Sequence, residues 1–367
     1  MPRRQPTLAA FLALGLFWGA WASVLPSVQR AAHLSKGTLG LALLFVTLAA
    51  IPTMLFAAGP LVDRFGMRAV TSACFCFAAA TTLPGLATSL PVLIVTLAVT
   101  GAATGALDVS MNASAARIES ESGQRLMPLA HGLYSVGVLV GAVGAGLARG
   151  AGSGREPILL VVSAVIALVG FWTATDTAEL AAPESKGLDF ARVLVFIGLI
   201  GAAAFVVEGG IESWSALFLE RQLHAQPAVS GLGPGVYGAS MAIGRFFGQA
   251  TRLSDRLLLV GGAAVAAGGC IVAALAPSAP VALVGFVLGG LGVSLNAPIV
   301  FGAAGRKSAS AVATVTTLGY VGLLVGPPLV GGIAQAASLR VSFGVLAGVA
   351  ALALVAASRL RLFEPQA

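Results

Sequence analysis

The 367-residue chain is 57% hydrophobic and only 10% charged, with a mean hydropathy of +0.95. A soluble domain carries about 25% charged residues, so this composition excludes a water-covered surface and places the chain in a membrane. The formal charge of +7 does not point to nucleic acid, because the basic residues fall singly between apolar runs, and the three cysteines and three histidines show no disulfide or metal-ligand spacing.

A helix crosses the hydrocarbon core with about 20 mostly apolar residues. Twelve stretches fit: 8–28, 38–58, 68–88, 91–112, 130–149, 157–175, 192–219, 232–250, 256–275, 279–302, 311–335 and 341–358. They predict an all-α integral membrane protein with 12 transmembrane helices joined by short loops. The first stretch has the outline of a signal peptide, down to Ala20-Trp21-Ala22 at a cleavage position. It is long for one and many spans follow, so it is read as retained. The longest polar connection, 176–190, separates an N-terminal six-helix bundle (1–175) from a C-terminal one (191–367) and is read as a cytoplasmic linker. With the N-terminus inside, fifteen of the 21 Lys and Arg residues fall on the inner side and six on the outer. Both termini are therefore expected in the cytoplasm.

In chain order, span 1 carries Trp18 and Trp21, which are either stacking walls for a substrate ring or interface anchors. The loop after span 2 reads Gly59-Pro60-Leu61-Val62-Asp63-Arg64-Phe65-Gly66-Met67-Arg68. Gly59 lets a neighbouring backbone approach, Asp63 suits a helix terminus, and Arg64 and Arg68 lie on the positive side. Span 4 contains Asp108, with Asn112 four residues on and so on the same face. A charged group at that depth costs about 2.5–3.5 kcal/mol on insertion scales. Asp108 should therefore face a water-reachable cavity, as a proton or substrate group; the alternative is a structural hydrogen bond. Span 5 opens with His131-Gly132 and Tyr134, and His131 either relays protons or bonds a loop end. Span 7 carries Glu208 and Glu212 on one face, with Trp214 beside them. Glu208 is the deeper, and so the second proton or substrate candidate; Glu212 is a third, or sits at the outer interface. Span 10 brings Asn296, and span 11 Tyr320.

The halves repeat. Leu107-Asp108-Val109-Ser110-Met111-Asn112-Ala113 returns 184 residues later as Leu291-Gly292-Val293-Ser294-Leu295-Asn296-Ala297, without the acid. Leu61-x-Asp63-Arg64 returns as Leu253-x-Asp255-Arg256, Gly137-x3-Gly141 as Gly322-x3-Gly326, Tyr134 as Tyr320 and Trp21 as Trp214. Matches at nearly one offset predict two pseudo-symmetric six-helix bundles, a transporter architecture.

The Gly59–Arg68 loop, the six-plus-six division and the second Leu-x-Asp-Arg resemble the major facilitator superfamily. The Asp108–Ala113 run, His131-Gly132 and Glu208–Trp214 are similar to its bacterial sugar-permease branch, related to fucose permease. The resemblance implies alternating access by rocking halves, with spans 1, 4, 7 and 10 lining a central cavity. It also implies a gating latch at Gly59, Asp63, Arg64, Gly66 and Arg68, echoed by Asp255 and Arg256. Thr251 stands where the second copy would have the first glycine and Leu258 where it would have the second, so that copy departs from the pattern. Ala142 follows Gly141 where the antiporter-type motif has proline.

Together these readings predict a proton-coupled secondary transporter in a bacterial inner membrane. The substrate candidates are Trp21, Asp108, Asn112, Tyr134, Glu208, Trp214, Asn296 and Tyr320; the proton candidates are Asp108, Glu208 and Glu212. No Lys or Arg stands in the middle of a span, which favours a neutral polar, sugar-like substrate, with efflux of drug-like cations as the alternative. No Walker A loop, nucleophile–base set or metal spacing is present, so no cofactor, metal or enzyme activity is expected. The expected partners are the substrate, protons and the bilayer, and the expected form is a monomer. A transport-inactive sensor or scaffold is the reading from another class.

Overall fold

A computed structural model describes residues 3–123, 126–180, 191–305, 307 and 309–359. Most of the linker (181–190) and the basic residues Arg125, Lys186, Arg306 and Arg361 lie outside the described residues. The described residues form helices and no strand. That follows from lipid as a solvent, which offers backbone groups no hydrogen bonds, so each segment must satisfy its own.

The first half comprises α1 (Arg4–Ala31), α2 (Lys36–Pro52), α3 (Gly59–Phe65), α4 (Met67–Thr82), α5 (Leu90–Ser122), α6 (Met127–Gly150) and α7 (Arg155–Thr173). The second comprises α8 (Arg192–Gln222), α9 (Pro227–Ser230), α10 (Leu232–Ala250), α11 (Asp255–Leu275), α12 (Ala279–Val293), α13 (Asn296–Gly305), α14 (Ala309–Ala336) and α15 (Leu339–Arg359). Within the first half α1 packs on α6, α2 on α5 and α4 on α7; within the second, α8 packs on α14, α10 on α12 and α11 on α15. The pairings correspond one for one. The contacts between halves obey the same symmetry, α2 against α14 and α10 against α6.

The glycine pairs of the repeat are what bring these helices together. A Cβ on Gly137 would lie 2.2 Å from the Leu12 carbonyl oxygen, and one on Gly141 2.1 Å from that of Leu16. In the second half a Cβ on Gly322 would lie 2.2 Å from the Ala202 oxygen. Small residues at such crossings let backbones touch, which is where helix association in lipid finds its packing energy.

Two departures from the expected pattern have local causes. Eleven helical segments among the described residues are long and apolar enough to span when adjoining elements are taken together, α2 through Phe56, α4 through Leu86 and α12 with α13 over Ala279–Ala304. The exception is α10, where Gly233, Gly235, Ser240 and Arg245 dilute the apolar residues; it is nonetheless a 19-residue helix at the expected place. The tenth expected span, 279–302, is not continuous, because α12 stops at Val293 and α13 starts at Asn296. Pro298 has no N–H for the Ser294 carbonyl four residues back, and its ring crowds that carbonyl. The equivalent residue in the first copy is Ser114, and α5 runs unbroken through it for 33 residues. Alongside this, the stretch read as the Gly59–Arg68 loop is largely helical, α3 over Gly59–Phe65 and then the start of α4, and before it Thr53–Ala58 closes α2 with a π-helical turn. Turns of that kind mark places where a helix is locally unwound.

Candidate functional site

Between the halves lies a cavity of about 550 Å³, lined by α1, α2, α5 and α6 on one side and α8, α10, α13 and α14 on the other. Call the end where α1 begins the near end and the end where it stops the far end. Met54, Met127 and Phe301 line the cavity toward the near end, whereas the lining stops at Ala22, Leu43 and Pro327 on the far side. There the halves close on each other. A Cβ on Gly40 would lie 2.8 Å from the Pro327 oxygen, and one on Gly146 2.9 Å from the Gly231 Cα.

Asp108 reaches this cavity from α5. The Asn112 Nδ2 donates to its Oδ1 at 3.2 Å, as the four-residue spacing requires, and also to the Asp108 backbone oxygen at 2.8 Å. The Tyr320 hydroxyl, on α14, hydrogen-bonds the same carboxylate. The first copy's acid is thus held by a residue of the second half. Thr104, one turn earlier, also lines the cavity, and its hydroxyl is buried with no hydrogen-bond partner.

A second cluster stands on α8. Glu208 and Glu212 both face the cavity, and the Arg245 Nη2 from α10 is 3.9 Å from the Glu208 Oε1. Arg245 also crosses to the first half, donating to the Ser135 Oγ at 2.9 Å and the His131 carbonyl oxygen at 3.4 Å. Glu212 has one carboxylate oxygen buried with no hydrogen-bond partner. Tyr134 of α6 lines the same cavity as both clusters.

The structure corrects one sequence expectation directly: the cavity does hold a cation. Arg245 sits only roughly a turn and a half from the near end of α10, but its long side chain carries the guanidinium inward, where Glu208 attracts it. Of the other expected residues, Trp21 and Trp18 line the wall, His131 does too, and so do Tyr134 and Tyr320. Trp214 does not. It is fully buried on the face of α8 turned to α14, beside Gly331, and Ser213 takes its place at the cavity. Asn296 starts α13 with its Oδ1 buried and unpartnered, while its neighbour Ala297 lines the cavity. The helix break rotates it out of the position that Asn112 holds.

The loop residues lie at the near end, away from the cavity. Gly66 adopts φ 55°, a left-handed backbone that suits glycine, and a Cβ there would lie 2.5 Å from the Ala178 oxygen. The Met67 N–H donates to that same oxygen at 2.9 Å, so the loop docks on the chain following α7. Asp63, Arg64 and Arg68 are exposed, with the Arg64 guanidinium 5.4 Å from the Phe65 ring centre. In the second copy Asp255 opens α11, and Arg256 donates to the Ser358 oxygen at 2.6 Å, satisfying a carbonyl at the end of α15.

One cluster went unseen in the sequence. At the far end Arg149 of α6 is buried and pairs with Glu220 of α8 at 2.6 Å. It also donates to the Ser23 oxygen at 2.6 Å and the Ser27 Oγ at 3.1 Å. Glu220 pairs in addition with Arg30 at 3.0 Å and accepts from the Ser230 hydroxyl at 2.8 Å. Arg149 and Glu220 read as loop-end charges; only the closure of the halves buries them together. Among the described residues no cluster of His, Cys, Asp and Glu could hold a metal ion.

Comparison with known proteins agrees with the fold. The sequence profile of the Major Facilitator Superfamily matches residues 7–306 and, separately, 197–367. An uncharacterized MFS-type transporter of Yersinia pestis is 35% identical, covering 93% of this chain and 91% of that protein. The membrane protein MosC of Rhizobium meliloti is 30% identical over 92% of this chain and 86% of its own length. Among solved structures, an inward-facing, occupied bacterial homologue of the human lysosomal transporter Spinster superposes with a TM-score of 0.74 at 18% identity, covering 99% of this chain and 98% of its own. The nucleoside transporter NupG superposes with a TM-score of 0.73 at 14% identity over the whole of both chains.

Proposed function

Because the chain belongs to the major facilitator superfamily, and is in outline a membrane transporter, we propose that it is a proton-coupled secondary carrier of a small polar, sugar-like molecule. The observation that carries this reading is the Asp108 carboxylate, set in the cavity between the halves and bonded to Asn112 on its own side and Tyr320 on the other. A group that can gain and lose a proton there changes the bonding between the halves. A proton can thereby be tied to their relative position, which is what coupling requires.

In this account the bundles at 1–175 and 191–367 rock about the cavity, joined by a linker at 176–190. The near end is cytoplasmic, both termini lie there, and the structure is the inward-facing form in a bacterial inner membrane. The Gly59–Arg68 loop acts as the cytoplasmic latch. Glu208 serves as a second proton or substrate group, and Trp18 and Trp21 supply an apolar wall against which a sugar ring packs, with Asn112 and Ser213 as polar partners. Arg245 is offset by Glu208, so its presence is compatible with an uncharged substrate. The protein works as a monomer, without cofactor.

A second reading, efflux of drug-like cations, is favoured by a specific count: Asp108, Glu208 and Glu212 face the cavity against the single guanidinium of Arg245. The same experiments separate the two. A thermal-shift screen of sugars and organic cations at two pH values identifies ligands. Uptake of a hit into proteoliposomes after a pH jump then tests coupling. The proposal expects a proton-driven signal that Asp108→Asn removes; a full signal in that variant rejects the role of Asp108, and stabilisation by cations alone rejects the sugar-like substrate.

A further inference from the structure

A second cavity, of about 460 Å³, lies at the far end of the molecule and is lined by Gln29, Arg30, His33, Lys36, Arg221 and Gln335, together with Leu34 and Ser35. Its walls come from both halves: the α1–α2 turn on one side, and the ends of α8 and α14 on the other. The chemistry is one-sided. Three permanently basic side chains and an imidazole line it, and no acid does. Arg30 is committed to Glu220 at 3.0 Å. Among the described residues, Lys36 and Arg221 have no ion-pair or hydrogen-bond partner. Gln29 is buried, and its side-chain oxygen has no hydrogen-bond partner either. Uncommitted cations beside a buried, unsatisfied acceptor make an incomplete site. An anionic group that also carries hydroxyl donors completes it.

We propose that this cavity binds a phosphate group borne on a small hydroxylated moiety, such as glycerol phosphate, and that the bound group bridges the two halves at their closed end. Lys36 and Arg221 supply the charge from opposite halves, and Gln29 accepts from a hydroxyl. The cavity lies where α1, α8 and α14 end and α2 begins, and the ends of membrane-spanning helices fall in the headgroup region of a bilayer. Basic residues near a membrane surface attract anionic lipid with about 1 kcal/mol each. The same chemistry is available from a lipid headgroup or from a soluble phosphate ester, and the site is independent of what the central cavity carries.

The test uses the full chain in detergent, with thermal unfolding and native mass spectrometry as readouts. The probes are phosphatidylglycerol, phosphatidylcholine and glycerol 3-phosphate, applied to the natural protein and to the double variant Lys36→Gln, Arg221→Gln. Both substituted side chains reach a solvent-accessible cavity, so the variant is expected to fold, which its unliganded melting midpoint checks. The proposal expects phosphatidylglycerol to raise the midpoint by a few degrees and to stay bound in the mass spectrum. The variant then binds it on the order of thirty-fold more weakly, the effect of two surface charges. If glycerol 3-phosphate reproduces the rise, the source is soluble; if only the lipid does, the source is the bilayer. Equal stabilisation by phosphatidylcholine, or an undiminished effect in the double variant, overturns the proposal. Should the variant melt early without ligand, the single variant Lys36→Gln is put through the same comparison.

Discussion

Replacing Arg149 with methionine tests the closure of the far end. The guanidinium is 3% exposed and Glu220 6% exposed, so this is a buried pair and solvent screens it little. Removing one partner of such a pair typically costs about 3–5 kcal/mol, because the other charge is left uncompensated. Here Glu220 keeps Arg30 and the Ser230 hydroxyl, and Arg30 is 46% exposed, so the residual pair is weak but present. The bonds to Ser23 and Ser27 are lost as well. A loss of about 2–3 kcal/mol is the reasonable middle. The part owed to Glu220, which crosses between the halves, falls on the closed conformation, whereas the bonds to Ser23 and Ser27 lie within the first half and are lost in either arrangement. A shift of about 2 kcal/mol changes a two-state ratio roughly thirty-fold. The assay is maleimide labelling of Ala228→Cys in a background with Cys74, Cys76 and Cys270 replaced, because Ala228 packs against Gly150 at the closed end. Arg149→Met is expected to speed labelling by about tenfold or more while the protein stays folded. Unchanged labelling with an unchanged melting midpoint refutes the idea that this pair holds the far end shut.

Other outcomes follow from the same geometry. Gly141→Leu forces a side chain into the Leu16 carbonyl and is expected to abolish folded protein in the membrane, read by size-exclusion yield. Gly66→Ala places a Cβ in left-handed backbone 2.5 Å from the Ala178 oxygen, and a loss of about 1–2 kcal/mol should appear as a lower melting midpoint. Tyr320→Phe removes a bond across the cavity without removing the ring, so proton-driven uptake should fall while thermal stability changes by less than about 1.5 kcal/mol. Trp214→Phe is expected to lower stability by about 1–3 kcal/mol and to leave ligand binding unchanged, as befits a packed residue outside the cavity.

The fold was legible because lipid permits few solutions. Runs of apolar residues had to be helices, and the repeated motifs had to fall on matching elements, as the α1–α6 and α8–α14 pairs do. Asp108 was legible for a related reason, since an acid in span 4 must find water or a partner, and its partner Asn112 was set by helical spacing. What escaped was whatever depended on side-chain reach or on the meeting of distant segments. Arg245 looks peripheral by position, and only the length of its side chain brings it to Glu208. Arg149 and Glu220 are 71 residues apart at the ends of two helices, and nothing local announces their pairing. The misplacement of Asn296 had a visible signal in Pro298, which breaks the symmetry with Ser114. Trp214 mirrors Trp21 in sequence, yet one lies in the core and the other on the cavity wall, because equivalent helices need not turn equivalent faces inward.

The most direct measurement is proton movement itself. Proteoliposomes loaded with a pH-sensitive dye are given a gradient of the ligand found by thermal shift, with the natural chain and with Asp108→Asn side by side. The natural chain should drive a pH change as the ligand moves, and the variant should bind ligand yet leave the pH flat. Proton movement of equal size in both would show that Asp108 is not where the proton is carried.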